Sequence, residues 1–163
     1  EEISRSGRHR GRKTPVVAAI EVRGTAAGRV RLRAITNVSG PPLTGFVKAH
    51  VAAGTQVLTD GWDSYNGLAA LGYDHRPRVQ GRRLKRGDTV LPHVHRVFSN
   101  LNTWLQGTHH GVRPHHLQAY LDEFTFRFNR RQTPMAAFQT LLGLGTQRAP
   151  TSYQMLYEAD STR

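Results

Sequence analysis

The chain has no cysteine, which excludes disulfides and thiolate zinc sites and agrees with a reducing compartment. No apolar run approaches the roughly eighteen residues a membrane span needs, and no stretch reads as a signal peptide. Neither GxGxxG nor GxxxxGK(S/T) occurs, so nucleotide-triphosphate chemistry has no support, and HExxH is missing as well. There is no internal repeat. Acidic residues are scarce: 11 Asp and Glu stand against 23 Lys and Arg, a net charge of +12 and a pI near 11.3.

That imbalance is the strongest bulk signal. The cations are mostly arginine, whose planar fork matches phosphate oxygens better than lysine does. They cluster in "RSGRHRGRK" (5–13) and in "RPRVQGRRLKR" (76–86), which holds Arg76, Arg78, Arg82, Arg83, Lys85 and Arg86. Both read as solvated loops able to follow a phosphate backbone. A polyanionic partner is expected, nucleic acid before membrane because no basic amphipathic helix occurs. The plainer alternative is the ordinary surface of a protein from an arginine-rich, high-GC genome.

At 163 residues, 37% hydrophobic, with a mean hydropathy of −0.52, the chain suits one soluble domain with a real core. Residues 1–14 lack apolar periodicity and read as a flexible basic arm. "PVVAAIEVR" (15–23) is a continuous apolar run, as in a buried strand, and "GRVRLRAITNV" (28–38) alternates, with Arg29, Arg31 and Arg33 on the wet side. "GTAAG" between them predicts a hairpin. "SGPPLTGFVKAHV" reads as a capped helix, "TQVLTD" as a third strand, "SYNGLAALG" as a short helix stopped by Gly72, and "YDHRPRV" as a fourth strand. Three amphipathic helices follow: one over 92–106, one after "RPHH" with Leu117, Leu121, Phe124 and Phe128 as its stripe, and "TPMAAFQTLLGLG". The tail "TSYQMLYEAD" is a further helical candidate. The order predicts an α/β domain over 15–145, a mixed sheet flanked by helices with a helical C-terminal part, and a tail over 146–163.

Chemistry has few places to sit. Asp60 ends an apolar strand, so it would project from the carboxyl edge of a sheet, where α/β folds gather ligands. Taken alone, the plainer assignment is a turn or helix N-cap; Asp63 fits the capping role better. His95, Ser99, Asn102 and Gln106 share one helix face, though polar helix faces are usually just solvated. His93 and His95 point roughly 200° apart and cannot share a metal from one helix. His109–His110 and His115–His116 flank "GVRP", but a zinc trap there lacks any supporting motif. Trp62 and Trp104 read as core. In "FTFRFNRR", Phe124 and Phe128 belong to the core stripe, leaving Arg127, Arg130 and Arg131 to meet phosphate.

The blocks "KTPVVAAIEV", "VLTDGWDSYNGLAALGYDHRP" and "LPHVHRVFSNLNTWLQGTHHGVRPHHLQAYLDEFTFRFNRR" resemble the ISXO2-like transposase domain of IS1595-family bacterial insertion sequences, from about Thr14 to Arg131. The resemblance implies a ribonuclease-H-like fold with a three-carboxylate (DDE-type) site. Such a site holds two Mg²⁺ or Mn²⁺ ions for phosphodiester hydrolysis and strand transfer at insertion-sequence ends. The family's second aspartate falls on Asp60 and its third position, histidine in some subgroups, on His95. A family lysine corresponds to Asn102, which carries no charge. The first aspartate belongs to a "DETY.GG"-like central strand placed before Glu1, and no aspartate precedes Asp60 in this sequence. The implied protein is therefore a domain short of its central strand and first carboxylate, inactive as this chain alone. Its implied partner is DNA, its assembly a homo-oligomer on DNA, and its location the bacterial cytoplasm at the nucleoid. The competing expectations are a catalytically dead, basic nucleic-acid-binding remnant and an interaction protein unrelated to DNA.

Overall fold

The computed structural model describes residues 14–78, 90–110 and 112–147. The expected basic arm, the cations Arg82, Arg83, Lys85 and Arg86, and the tail helix lie outside these residues. The chain divides into two compact units, one up to Asn129 and one from Arg130 onward.

In the first unit, the two N-terminal runs form the expected hairpin, β1 (Val16–Arg23) and β2 (Ala26–Ala34), paired antiparallel from Val16↔Ala34 to Ile20↔Val30. The strands reverse at Gly24, whose φ of 59° suits a residue without Cβ. One hairpin face, with Val30 and Leu32 buried and Val16, Ala18, Ile20 and Ala34 beside them, packs on α2 (Pro92–His109) and α3 (Leu117–Asn129). Those helices contribute Val97, Phe98, Leu101, Leu105, Leu117, Leu121 and Phe124. On the opposite face Val17, with Ala19 beside it, joins a second cluster of Ile35, Leu43, Phe46, Val47, Leu68 and Tyr73. Burial on both faces explains why β1 reads as continuously apolar. β2 alternates because Arg29, Arg31 and Arg33 take its other face.

The second cluster is carried by α1 (Gly40–His50), by β3 (Gln56–Thr59) and by a 3₁₀ helix over Asp63–Leu71. The expected cap of α1 is not realised: Ser39 occupies the N-cap position, but its hydroxyl turns back to Asn37 Oδ1. The segment read as a short α-helix is 3₁₀, consistent with the poor helix formers Asn66 and Gly67 inside it, and it stops on Gly72 at φ 84°. β4 (Asp74–Pro77) then pairs parallel to β3, from Gln56↔Asp74 to Thr59↔Pro77. α2 extends three residues past the 92–106 expected, to His109.

Among the described residues the strands make two separate two-stranded sheets, β1–β2 and β3–β4, rather than one mixed sheet. Both halves nonetheless border one core, since Val17 of β1 belongs to the second cluster and Val57 of β3 packs against it. The outer edge of β2 is closed by two side-chain amides of α3. Asn129 Oδ1 accepts from Val30 N–H at 2.7 Å while its Nδ2 donates to Val30 C=O at 3.0 Å. Eleven residues earlier on the same helix face, Gln118 Oε1 accepts from Ala34 N–H at 3.0 Å and Nε2 reaches Leu32 C=O at 3.5 Å. Backbone groups alternate in direction along an antiparallel strand, so the groups of Val16, Ala18 and Ile20, opposite these, point to the outer edge of β1. Among the described residues no hydrogen bond closes that edge.

In the second unit, α4 (Pro134–Thr146) buries none of its residues and exposes Met135, Phe138, Leu141, Leu142 and Leu144.

Candidate carboxylate edge and nucleic-acid interface

Asp60 follows β3 directly and is exposed. Its Oδ1 accepts the Trp62 N–H at 3.2 Å, closing a tight turn that Gly61 permits with a φ of 81°. The backbone on either side is fixed. Thr59, buried, bonds its hydroxyl to His75 Nε2 at 2.9 Å, and its carbonyl accepts from Arg78 N–H at 2.7 Å. The turn reading of Asp60 is thus realised with one oxygen, while Oδ2 has no hydrogen bond among the described residues. Arg78, past the end of β4, stands at the same edge.

Asp60 also acts on Tyr65, whose hydroxyl is raised above the usual tyrosine range by burial first and by the Asp60 charge second. A raised tyrosine keeps its proton in the folded state after the unfolded chain has ionised. Its contribution to stability is therefore present in full below about pH 10 and lost as pH climbs from there through the higher folded-state value. Asp60→Asn should move the Tyr65 titration downward in phenolate absorbance; an unchanged midpoint would mean the two groups are not close.

His95 lies in the first turn of α2, where its N–H donates to Leu91 C=O at 3.1 Å, and its side chain is exposed with Ser99 and Gln106. Asn102, expected on the same face as a phosphate contact, is half-buried, and its Oδ1 is enclosed without a hydrogen-bond partner. The packed helix flank draws it inward. No hydrogen bond or ion pair links Asp60 with His95, and among the described residues no three His, Asp or Glu side chains gather around a metal position. One carboxylate and one imidazole do not suffice for hard cations, which take several oxygen ligands. The donors described here therefore do not by themselves fit a two-ion centre.

The candidate arginines divide. Arg76 pairs with Asp74 at 2.8 Å, and Asp74 is held below its usual range by the Gln56 amide and by Arg76. Arg127, expected to be free for phosphate, pairs with Glu123 one helical turn away at 2.8 Å. Both partners are well exposed, so water screens this pair and it adds little stability. Arg130 and Arg131 belong to the second unit. Trp62, expected in the core, is 57% exposed: it caps the 3₁₀ helix from outside and donates its indole N–H to Ser64 Oγ at 3.1 Å. Trp104 does pack on the core, edge-on to His109 with centroids 4.8 Å apart. His109 is enclosed by Trp104 and Tyr120, and His115 and His116 pack against each other, so the histidine pairs do not converge on a metal. Sequence reasoning missed Gln118 and Asn129; their eleven-residue spacing on one helix face was the available signal.

These features define a basic, mixed α/β domain with a carboxylate at the end of β3 and an open edge on β1. Residues 1–129 match the model of the ISXO2-like transposase domain, and the chain belongs to that family, IS1595. No curated protein and no solved structure matches it. Membership implies a transposase function and interaction with DNA in general. No helix among the described residues is long and apolar enough to cross a membrane.

Proposed function

We propose that this chain is the catalytic domain of a DDE-type DNA transposase, acting in a metal-dependent way on phosphodiesters at insertion-sequence ends. In this reading its ribonuclease-H-like sheet is finished by one further strand laid along β1. The observation that carries the reading is the position of Asp60, at the carboxyl end of a strand whose half-sheet shares a core with the open edge of β1. A strand between β1 and β3 would join the halves and bring its side chains to the edge where Asp60 stands. Mg²⁺ or Mn²⁺ goes with this function, and the oxygen ligands missing from the described residues would arrive with the added strand. His95 is the imidazole donor of the same site. DNA ends and target DNA are the partners, at the nucleoid, and the active assembly is a homo-oligomer on DNA.

A second reading is a catalytically dead DNA-binding remnant. It is favoured by one observation, the absence of any three-donor cluster among the described residues. The two readings separate in a binding experiment with duplexes carrying terminal or unrelated sequence, each titrated with and without Mg²⁺. The catalytic reading expects terminal sequence and divalent metal to strengthen binding. Metal-independent, sequence-blind binding supports the remnant. In either case affinity should fall steeply with salt, by roughly 10³-fold or more between 50 and 200 mM if six or more phosphates are contacted. Absence of binding to every duplex would remove DNA from the account.

A further inference from the structure

The face of β2 that turns away from α2 and α3 carries Arg31 and Arg33, opposite Ala19 and Val17. Alternate residues on one strand face lie on the order of 6.5–7 Å apart, so the two guanidinium groups can engage separate phosphates. On that same side α1 packs over β1 and ends at His50, whose ring sits edge-on to Phe46 with centroids 4.7 Å apart. His50 therefore ends α1 on the side of the hairpin that carries Arg31 and Arg33, and it is held below the usual histidine range by burial first, then by the charges of Arg33 and Arg31. Among the described residues no carboxylate pairs with Arg31, Arg33 or His50. The nearby acid, Glu21, is engaged by the Arg23 guanidinium at 2.8 Å and by the Arg29 N–H at 3.0 Å, while Arg31 makes only a bond to Val30 C=O at 3.1 Å. Lys48, also on α1, adds positive charge and is exposed.

An uncompensated cluster of this kind raises the local potential and is stabilised by an anion with several oxygens. We propose that Arg31, Arg33 and His50 form a phosphate-binding site for the backbone of DNA, separate from the edge at Asp60. The site rests on the reading of the chain as a DNA-acting domain. It deepens that reading by placing a second stretch of the duplex across β2 and the end of α1. Arginine forks hold non-bridging oxygens, and an anion beside His50 opposes the arginine charges that lower its titration.

The test uses the full chain, a fluorescent DNA duplex and a salt series. Replacing both arginines, R31A with R33A, should reduce the slope of log affinity against log salt by about 1.8, at 0.9 per lost phosphate contact. Arg31→Lys with Arg33→Lys keeps the charges and should keep most of the slope. In the wild-type chain, proton NMR of His50 should show its titration moving upward on addition of duplex, a readout independent of whether any variant folds. A wild-type slope in the alanine variant, or an unmoved His50, overturns the site while leaving DNA binding intact. Failure of the wild-type chain to bind DNA overturns both the site and the function it rests on. Tighter competition by duplex RNA than by DNA overturns the assignment to DNA.

Discussion

Replacing Asn129 with leucine should lower the free energy of unfolding by on the order of 1–3 kcal/mol, because the buried Val30 N–H loses its partner while Val30 C=O keeps only the Arg31 guanidinium. The amide of Asn129 does for β2 what a neighbouring strand would do: it accepts from Val30 N–H and donates to Val30 C=O. Val30 is fully buried, so water cannot replace either bond. Asn129→Asp separates the two contributions. The carboxylate can still accept from the N–H, but it sets a negative oxygen against the carbonyl, so the loss should not be recovered. Gln118→Leu should cost less, since its contact with Leu32 C=O is already long at 3.5 Å. Denaturant unfolding measures all three. A near-native midpoint for Asn129→Leu would show that the edge of β2 is satisfied in another way. Association of the variant at high concentration is a further expected sign, because an uncovered strand edge templates pairing.

The second large effect concerns activity. On the proposed reading the chain alone should neither cleave nor join DNA with Mg²⁺ or Mn²⁺, because among the described residues no three donors gather at one position. Supplying an apolar strand bearing an aspartate, fused ahead of β1 or added as a peptide, should raise thermal stability by pairing with the open edge. It should also produce metal-dependent cleavage. In that completed form Asp60→Asn should remove at least about 100-fold of the activity, since even groups that only support a metal ligand are worth 10- to 100-fold. Asparagine keeps an oxygen to accept the Trp62 N–H, so the turn survives and the loss reports on charge. Strong strand transfer by the unsupplemented chain would overturn the incomplete-site reading. Full activity of Asp60→Asn would remove that residue from the chemistry.

Much of the fold was legible residue by residue. The continuous run of β1 signalled burial on both faces, and the alternation of β2 signalled one wet face. Gly72 stopped the segment before β4 as expected. Local signals failed where a side chain had a choice of partner. Ser39 bonded Asn37 instead of the helix, and Arg127 lies in an exposed pair with Glu123 that the sequence reading did not anticipate. Trp62 is large and apolar but stands where the chain turns outward, a matter of turn geometry that hydrophobicity does not encode.

The sequence by itself determined the family, the positive charge, the strand that ends on Asp60 and the helices that carry the core, because these depend on composition, motif and periodicity along one dimension. Tertiary structure alone decided which strand edge is closed and which is open. It also decided that Asp60 spends one oxygen on the Trp62 N–H, and that Arg31 and Arg33 lie on the hairpin face over which α1 packs. Except for the turn at Asp60, those outcomes depend on groups far apart in the chain meeting across a packed core, and pairing of that kind leaves little trace in any local pattern.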